Sequence, residues 1–433
     1  MTVALALLLA GCGEDEPTTG SFELVGHSDL GAQGMYSAIA VAGDTVYVGS
    51  RNDKKGIAIV DIADPGAPVV VGEIGRPFAA LPGMSTRELR AVPELDLLIV
   101  LNLQCSPELH GCGGGGEEQN LRLFDIRDRR APQILATYRI SQTLAGRSPH
   151  ELFVWRDAAR TLVFLAAPDG PPALEVIDVT TPRTPMRIAA WDPRDAGLMP
   201  RAGGDDILHS VGVSEDGKTA YLSHQLSGLM LADISQLPAV SLLTPPEAAL
   251  TWDQPIVMGP HSAVPIPGRD VLIVTEEIYP MPFGGGCPWG HLRTVDISDP
   301  AAPVVIGEYR LAQNDPSYCS GPTERVTFTA HNVTTTHDLA LVTWYAGGLQ
   351  ALDVPEPAAP RQLAEFLPEP LATVAVEDPG LGGNGVEMWS YPVIKDGLIY
   401  VVDVRNGLYV LRNSGRWAGQ VAGESFLEGN SNL

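Results

Sequence analysis

The sequence predicts an all-β fold made of seven copies of one four-stranded antiparallel unit, and three observations carry that prediction. The first is a recurring strand–turn–strand phrase. It reads G-I-A-I-V-D-I-A-D-P-G-A-P-V-V-V-G-E-I at 56–74, L-R-L-F-D-I-R-D-R-R-A-P at 121–132 and L-E-V-I-D-V-T-T-P-R-T-P at 174–185. It returns as G-L-M-L-A-D-I-S-Q-L-P (228–238), H-L-R-T-V-D-I-S-D-P-A-A-P-V-V-I-G-E-Y (291–309) and G-L-Q-A-L-D-V-P-E-P-A-A-P (348–360), with a truncated G-L-Y-V-L-R-N at 407–413. The second is a pair of short alternating runs ahead of each phrase, joined by turn residues, which is a hairpin signal. The third is the period: first strands start at 36, 87, 150, 209, 261, 331 and 389, between 51 residues (36 to 87) and 70 residues (261 to 331) apart.

The hairpins span 36–50 (turn Gly43-Asp44), 87–102, 150–167 (turn Asp157) and 209–224 (turn Glu215 to Lys218). They continue at 261–276 (Gly268-Arg269), 331–345 (His337-Asp338) and 389–403 (Asp396-Gly397). Each unit is therefore a meander of four strands. Four-stranded units at this period stack as the blades of a β-propeller. The seventh copy ends at its third strand, since 414–433 lacks the proline-led fourth-strand pattern. F-E-L-V-G-H at 22–27 matches the fourth strands V-V-V-G-E-I and V-V-I-G-E-Y, so 22–28 is expected to complete the last blade. The expected organisation is a signal segment at 1–12, a tether at 13–21, a seven-bladed propeller at 22–413 and a C-terminal tail at 414–433.

The third strand, apolar-x-V-x-D before a D-P-x-x-P turn, resembles the LVIVD repeat, and the likeness runs from 22 to 413. That resemblance implies a propeller and an exported or surface-displayed protein; it implies no particular activity. The seventh copy departs from it, with Arg412-Asn413 where the others carry Asp. The repeated Asp61, Asp125, Asp178, Asp233, Asp296 and Asp353 read as structural, each accepting hydrogen bonds from the turn that follows.

A formal charge of −24 over 433 residues leaves no basic footprint for nucleic acid and no polybasic stretch for an anionic membrane surface. The opening M-T-V-A-L-A-L-L-L-A-G-C is too short to span a bilayer and matches a secretory apolar region. Its Leu9-Ala10-Gly11-Cys12 resembles a bacterial lipobox, which implies lipid on Cys12 and anchoring at the cell envelope, on the outer-membrane or periplasmic side; the chain is separately expected to be a monomer. The other four cysteines, Cys105, Cys112, Cys287 and Cys319, fall in loops of an exported chain and are expected in disulfides. Three pairings are open; Cys105–Cys112 and Cys287–Cys319 are nearest in sequence.

His150, His209, His261 and His331 open the first strand of four consecutive copies, where Tyr36, Arg87 and Trp389 stand in the others. First strands line the channel of a propeller, so these positions start on one face of it. A second polar ring falls at second-strand ends: Ser50, Asn102, His224, Glu276 (beside Glu277), Tyr345 and Asp403. Two readings follow. The histidines are a polar channel mouth inherited with the repeat, or they bind copper, zinc or iron, with Glu276 and His224 in support. The matching functions are a binding or scaffold module, presenting its loop-rich face to an envelope protein or glycan, and a metal-dependent oxidase or hydrolase. No P-loop, nucleophile elbow or H-E-x-x-H occurs, and G-L-G-G-N-G at 380–385 leads into a strand rather than a helix.

Overall fold

The computed structural model describes residues 19–76, 78–113, 119–140, 149–167, 173–198, 207–252, 259–282, 284–320, 326–381 and 383–433. Cys12 and the signal segment lie outside them. Within them the chain is antiparallel sheet, with two short helices, Pro107–His110 and Ala418–Gly423, and a few single-turn 3₁₀ segments. Six sheets are present. Four are meanders with strands in chain order, running from Glu151–Arg156 to Met186–Trp191, Leu208–Val213 to Ser241–Leu242, Pro260–Pro265 to Val304–Tyr309, and Val333–Thr335 to Arg361–Phe366. A fifth sheet holds two such meanders, Tyr36–Ala42 to Val69–Ile74 and Met84–Val92 to Gln133–Arg139, joined through the single pair Ser50–Thr86. In the sixth, Val393–Lys395, Leu398–Asp403 and Gly407–Gly415 are flanked by Phe426–Glu428 on one side and Gly20–Ser28 on the other. These units are numbered I to VII below, in chain order.

The aspartate that ends each third strand shapes the next turn. Asp61, Asp125, Asp178, Asp233 and Asp296 each accept the backbone N–H two residues on, at 2.8–3.0 Å. Asp353 is the exception, because the residue two positions on is Pro355, which has no N–H to give. Its buried carboxylate instead accepts from Trp417 Nε1 (2.6 Å) and pairs with Arg361 (2.9 Å).

Fourth strands share a bulge. Their ladders skip one residue opposite the third strand in units I, II, III, V and VI, at Ile59/Val60, Leu123/Phe124, Val176/Ile177, Thr294/Val295 and Ala351/Leu352. The Gly20–Ser28 strand carries the same irregularity against Gly407–Gly415, between Leu24 and Gly26. The glycine after the bulge has a packing cause. A Cβ at Gly307 would stand 2.5 Å from the carbonyl oxygen of Pro357, in the turn of unit VI, and one at Gly26 would stand 2.1 Å from that of Pro65, in the turn of unit I. Thus the glycines of V-V-I-G-E-Y and L-V-G-H are set by a turn of another unit pressed against them, Glu356-Pro357 and Asp64-Pro65 respectively.

Apolar layers lie between successive units. Tyr47 and Ile59 meet Leu89 and Phe124 between I and II; Phe153 and Phe164 meet Val211 and Leu222 between III and IV. The series returns on itself, since Val402, Leu408 and Val410 of VII pack with Ile39, Val41 and Val46 of I. The segment expected as a free tail is part of the fold. Its Phe426–Glu428 strand pairs with Val393–Lys395; Val154 N–H then donates to the Asn430 carbonyl (3.1 Å) and Asn432 Oδ1 accepts from Arg156 N (2.6 Å). Residues 426–433 therefore tie unit VII to unit III.

Candidate metal centre

The histidines are aimed by a backbone device. In units II, IV and V the pairing of first and second strands skips one residue, between Thr86/Glu88, Leu208/Ser210 and Pro260/Ser262. The residues left over are Arg87, His209 and His261. A bulge re-aims the extra side chain, and here it brings residues of different units together. Neighbouring first strands are stitched to one another at the same level: Ser210 Oγ donates to the His261 carbonyl and Ser262 Oγ to the His331 carbonyl.

The four imidazoles form a continuous stack. Ring centroids are 4.2 Å apart for His150–His209, 4.0 Å for His209–His261 and 4.1 Å for His261–His331. One carboxylate faces three of them. Glu277 Oε2 lies 3.7 Å from His209 Nε2 and 3.5 Å from His261 Nε2, and Oε1 lies 3.1 Å from His331 Nε2. Tyr345 Oη donates to the same Oε1, and Tyr279 Oη is 3.2 Å from Tyr345 Oη. His209, His261, His331, Glu277 and Tyr345 are buried, and His150 and Tyr279 are half-buried. Tyr345 takes a left-handed backbone conformation, φ 42°, held by reciprocal backbone hydrogen bonds with Met388.

His331 Nδ1 is 2.6 Å from the Trp389 carbonyl oxygen and donates to it, which leaves Nε2 turned toward Glu277 Oε1. Both ring nitrogens of His261 are without a hydrogen-bond partner among the described residues. Burial pushes His209 down to about 3 and His150 and His261 well below the ordinary imidazole range, so all three are neutral and ligand-competent at physiological pH. For Glu277 burial acts upward, but the His331 imidazole facing it at 3.1 Å acts downward, and the carboxyl is held well below its usual range. Burial, then Glu277, drives Tyr345 well above the ordinary phenol range, which keeps it a donor. The ligand atoms of His209, His261 and Glu277 all lie within 4.8 Å of one another.

The other expected site residues lie apart from this trio. His150 extends the stack at its far end, its Nε2 3.2 Å from Arg87. Glu276 points the other way, 3.1 Å from Arg293 and 3.7 Å from His291. The carboxylate among the histidines is its neighbour Glu277. Arg293 is the signal that separates the two: it pairs with Val274 on the adjacent strand, diagonal to Glu276 and on its face of the sheet. His224 is buried with its ring edge toward Trp191, centroids 6.2 Å apart, and is not among the residues grouped around Glu277. The loop cysteines form Cys105–Cys112 and Cys287–Cys319 disulfides, with Cα–Cα distances of 6.2 and 5.6 Å. His110 sits between the first pair, but bridged sulfurs are not thiolate ligands, so that group is no zinc site.

Comparison with known proteins returns the repeat and a set of distant structural likenesses. The LVIVD repeat model matches residues 33–74 and 287–310. No curated protein matches the chain. Among solved structures, Raptor from Chaetomium thermophilum aligns at 10% identity and TM-score 0.49, covering 92% of this chain, which spans only 29% of that one. A Lactobacillus plantarum protein aligns at 14% identity and TM-score 0.47, over 75% of this chain and 87% of that one. A chain of the mitotic checkpoint complex aligns at 10% identity and TM-score 0.48, over 95% and 98%. Among the described residues no helix is long and apolar enough to cross a membrane. The chain carries LVIVD repeats at residues 33–74 and 287–310, within an all-β fold of antiparallel sheets.

Proposed function

We propose that the chain closes as a seven-bladed propeller, held at a bacterial envelope by lipid on Cys12, and binds a divalent transition metal at the inner ends of units IV and V. Support for sevenfold closure comes from the Gly20–Ser28 strand with its fourth-strand bulge and from the apolar layer joining VII to I. Support for the anchor comes from the lipobox-like Leu9 to Cys12 alone.

One observation carries the metal reading: His209 Nε2 and His261 Nε2 face the same Glu277 oxygen at 3.7 and 3.5 Å. Ligands bound at ~2.0–2.1 Å in a tetrahedral site stand roughly 3.3–3.4 Å from one another, so this spacing needs little adjustment to hold an ion. Two imidazoles and a carboxylate suit zinc or iron, and three protein ligands leave a position open for water or substrate. His331 stands ready as a fourth ligand. Tyr345 orients Glu277 by its hydrogen bond. A bound ion would supply Lewis-acid or redox chemistry, the hydrolase or oxidase class.

A second reading, a scaffold for an envelope protein or glycan, is favoured by the two disulfide-braced loops. Elemental analysis of the full chain, purified in detergent without chelators or a His-tag, separates the two. Near-stoichiometric zinc, iron or copper, lost in His261→Phe, is the expected result. No metal as purified and none on titration would leave the scaffold reading alone.

A further inference from the structure

Three arginines stand among the inner strands, and two are conventionally paired. Arg51 meets Asp378 at 3.2 Å and Glu387 at 3.1 Å; Arg90 meets Glu88 at 3.2 Å and Glu428 at 3.9 Å. Arg87 is the exception. It is 5% exposed, and among the described residues no carboxylate lies within ion-pair distance of it. Its guanidinium stacks over Trp389, 5.0 Å from the ring centroid. Among the described residues its Nη atoms reach only imidazole nitrogens, His150 Nε2 at 3.2 Å and His110 Nε2 at 3.5 Å, and its Nε has no acceptor.

Buried guanidinium groups are kept with a counter-charge, because an uncompensated buried ion costs several kcal/mol. Neutral imidazoles accept hydrogen bonds but bring no negative charge. The nearest anionic group of the site, Glu277, is already shared by three histidines and Tyr345. With a divalent ion on Glu277 and Arg87 beside the stack, this end of the site carries two positive charges, and no carboxylate among the described residues lies within ion-pair distance of Arg87 to offset them. An anionic ligand would offset them.

The geometry points to an oxyanion: we infer that Arg87 anchors a carboxylate, phosphate or sulfate group of a small ligand. His150 separates it from His209, so the anchored group sits one imidazole away from the ligand trio and the rest of the molecule extends toward the ion. The planar fork, steadied by Trp389, matches such groups bidentately through Nε and an Nη. This inference takes the metal centre proposed above as its setting, but the anion site can be tested apart from it.

The experiment is calorimetric titration of acetate, inorganic phosphate and sulfate into the full chain, zinc-loaded and chelator-stripped, for the wild type, Arg87→Gln and Arg87→Lys. Arg87 is not a metal ligand, so both variants should keep the wild-type zinc stoichiometry. For at least one anion, binding to the zinc-loaded protein should weaken about 10- to 100-fold in Arg87→Gln, the scale of a charged hydrogen-bond pair, and less in Arg87→Lys. Equal affinity in wild type and variants, or no anion binding to zinc-loaded protein, overturns the inference and leaves the metal centre standing. If zinc fails to load, the metal reading falls and the stripped protein decides: Arg87-dependent anion binding sustains the inference, and its absence overturns it. Should Arg87→Gln lose its cooperative melt, the comparison is made with Arg87→Lys.

Discussion

Replacing Glu277 by Gln, beside a matched Glu276→Gln, tests which of two adjacent carboxylates serves the histidines. The side chains are isosteric with the wild type, so packing is preserved and charge alone changes. Glu277 Oε2 stands 3.5 Å from His261 Nε2. An ion held between them lies no farther than that from the carboxylate, and at 3.5 Å with an effective dielectric near ~20 each unit charge on it interacts with the carboxylate by roughly 5 kcal/mol. The amide oxygen of Gln retains part of this through its dipole. A net loss on the order of 3–4 kcal/mol follows, or about 10²- to 10³-fold in metal affinity. Glu276→Gln removes the partner of Arg293, which still has Glu308 at 3.6 Å, and touches none of the three histidines. It should cost stability on the order of 1–3 kcal/mol while leaving metal affinity within about threefold, since a sequestered ion pair contributes to folding rather than to ligation.

The assay is zinc titration against a fluorescent competitor chelator, with thermal melts of metal-free protein run alongside. Metal-free Glu277→Gln should melt near the wild type, because Tyr345 keeps an oxygen acceptor. Zinc should raise the wild-type midpoint and barely move that of Glu277→Gln. Equal zinc affinity in Glu277→Gln and wild type, or loss of affinity in Glu276→Gln instead, would refute the reasoning.

Three further outcomes follow. Glu151, buried beside Glu88, Arg90 and Tyr391, is pushed up to about 8, by burial first and Glu88 next. A raised folded-state pKa means its contribution to stability is full below the unfolded value near 4.5 and is lost as pH climbs through about 8. Glu151→Gln should therefore match the wild type at pH 5 and exceed it at pH 9 by on the order of 1–3 kcal/mol; a gap that does not change with pH would refute this. Truncation after Glu424 removes the Phe426–Glu428 strand and the bonds of Asn430 and Asn432 to unit III, and should lower stability by on the order of 3 kcal/mol in a denaturant series without changing metal stoichiometry. Gly307→Ala should cost roughly 1–3 kcal/mol through the Pro357 oxygen, whereas Gly75→Ala, with nothing within 4 Å of the added carbon, should fall within about 0.5 kcal/mol of wild type by thermal melting.

Local chemistry explains what the sequence made readable. Asp followed by an N–H two residues on, and Pro opening the next strand, are requirements met within a few residues, so most copies state them openly. The Gly20–Ser28 strand was legible by likeness, since L-V-G repeats the bulge-and-glycine wording of V-V-G and I-G-E, although the turn that presses on Gly26 belongs to another unit. Asp353 shows the limit of the rule. One proline two residues on cancels the turn bond and frees the carboxylate for Trp417. The role of 426–433 was not legible, because F-L-E is too short to declare a strand without the Val393–Lys395 edge that receives it.

The site was half legible, and the half that was missed has a single physical form. Register along the repeat placed His209, His261 and His331 at one level, which needs only counting. Choosing Glu277 over Glu276 needs the face each side chain takes, and where a strand ends in two glutamates the choice is settled by what lies across the sheet: Arg293 claims one and leaves the other to the imidazoles. Tyr345 enters through φ 42°, a backbone state that residue type does not announce. A repeat thus transmits backbone positions faithfully and chemistry loosely. One position in seven copies now holds a phenol, a guanidinium, four imidazoles and an indole. Divergence at that position, on a scaffold that keeps the level constant, is what can turn an inherited polar ring into a site with distinct ligand and anion-binding ends.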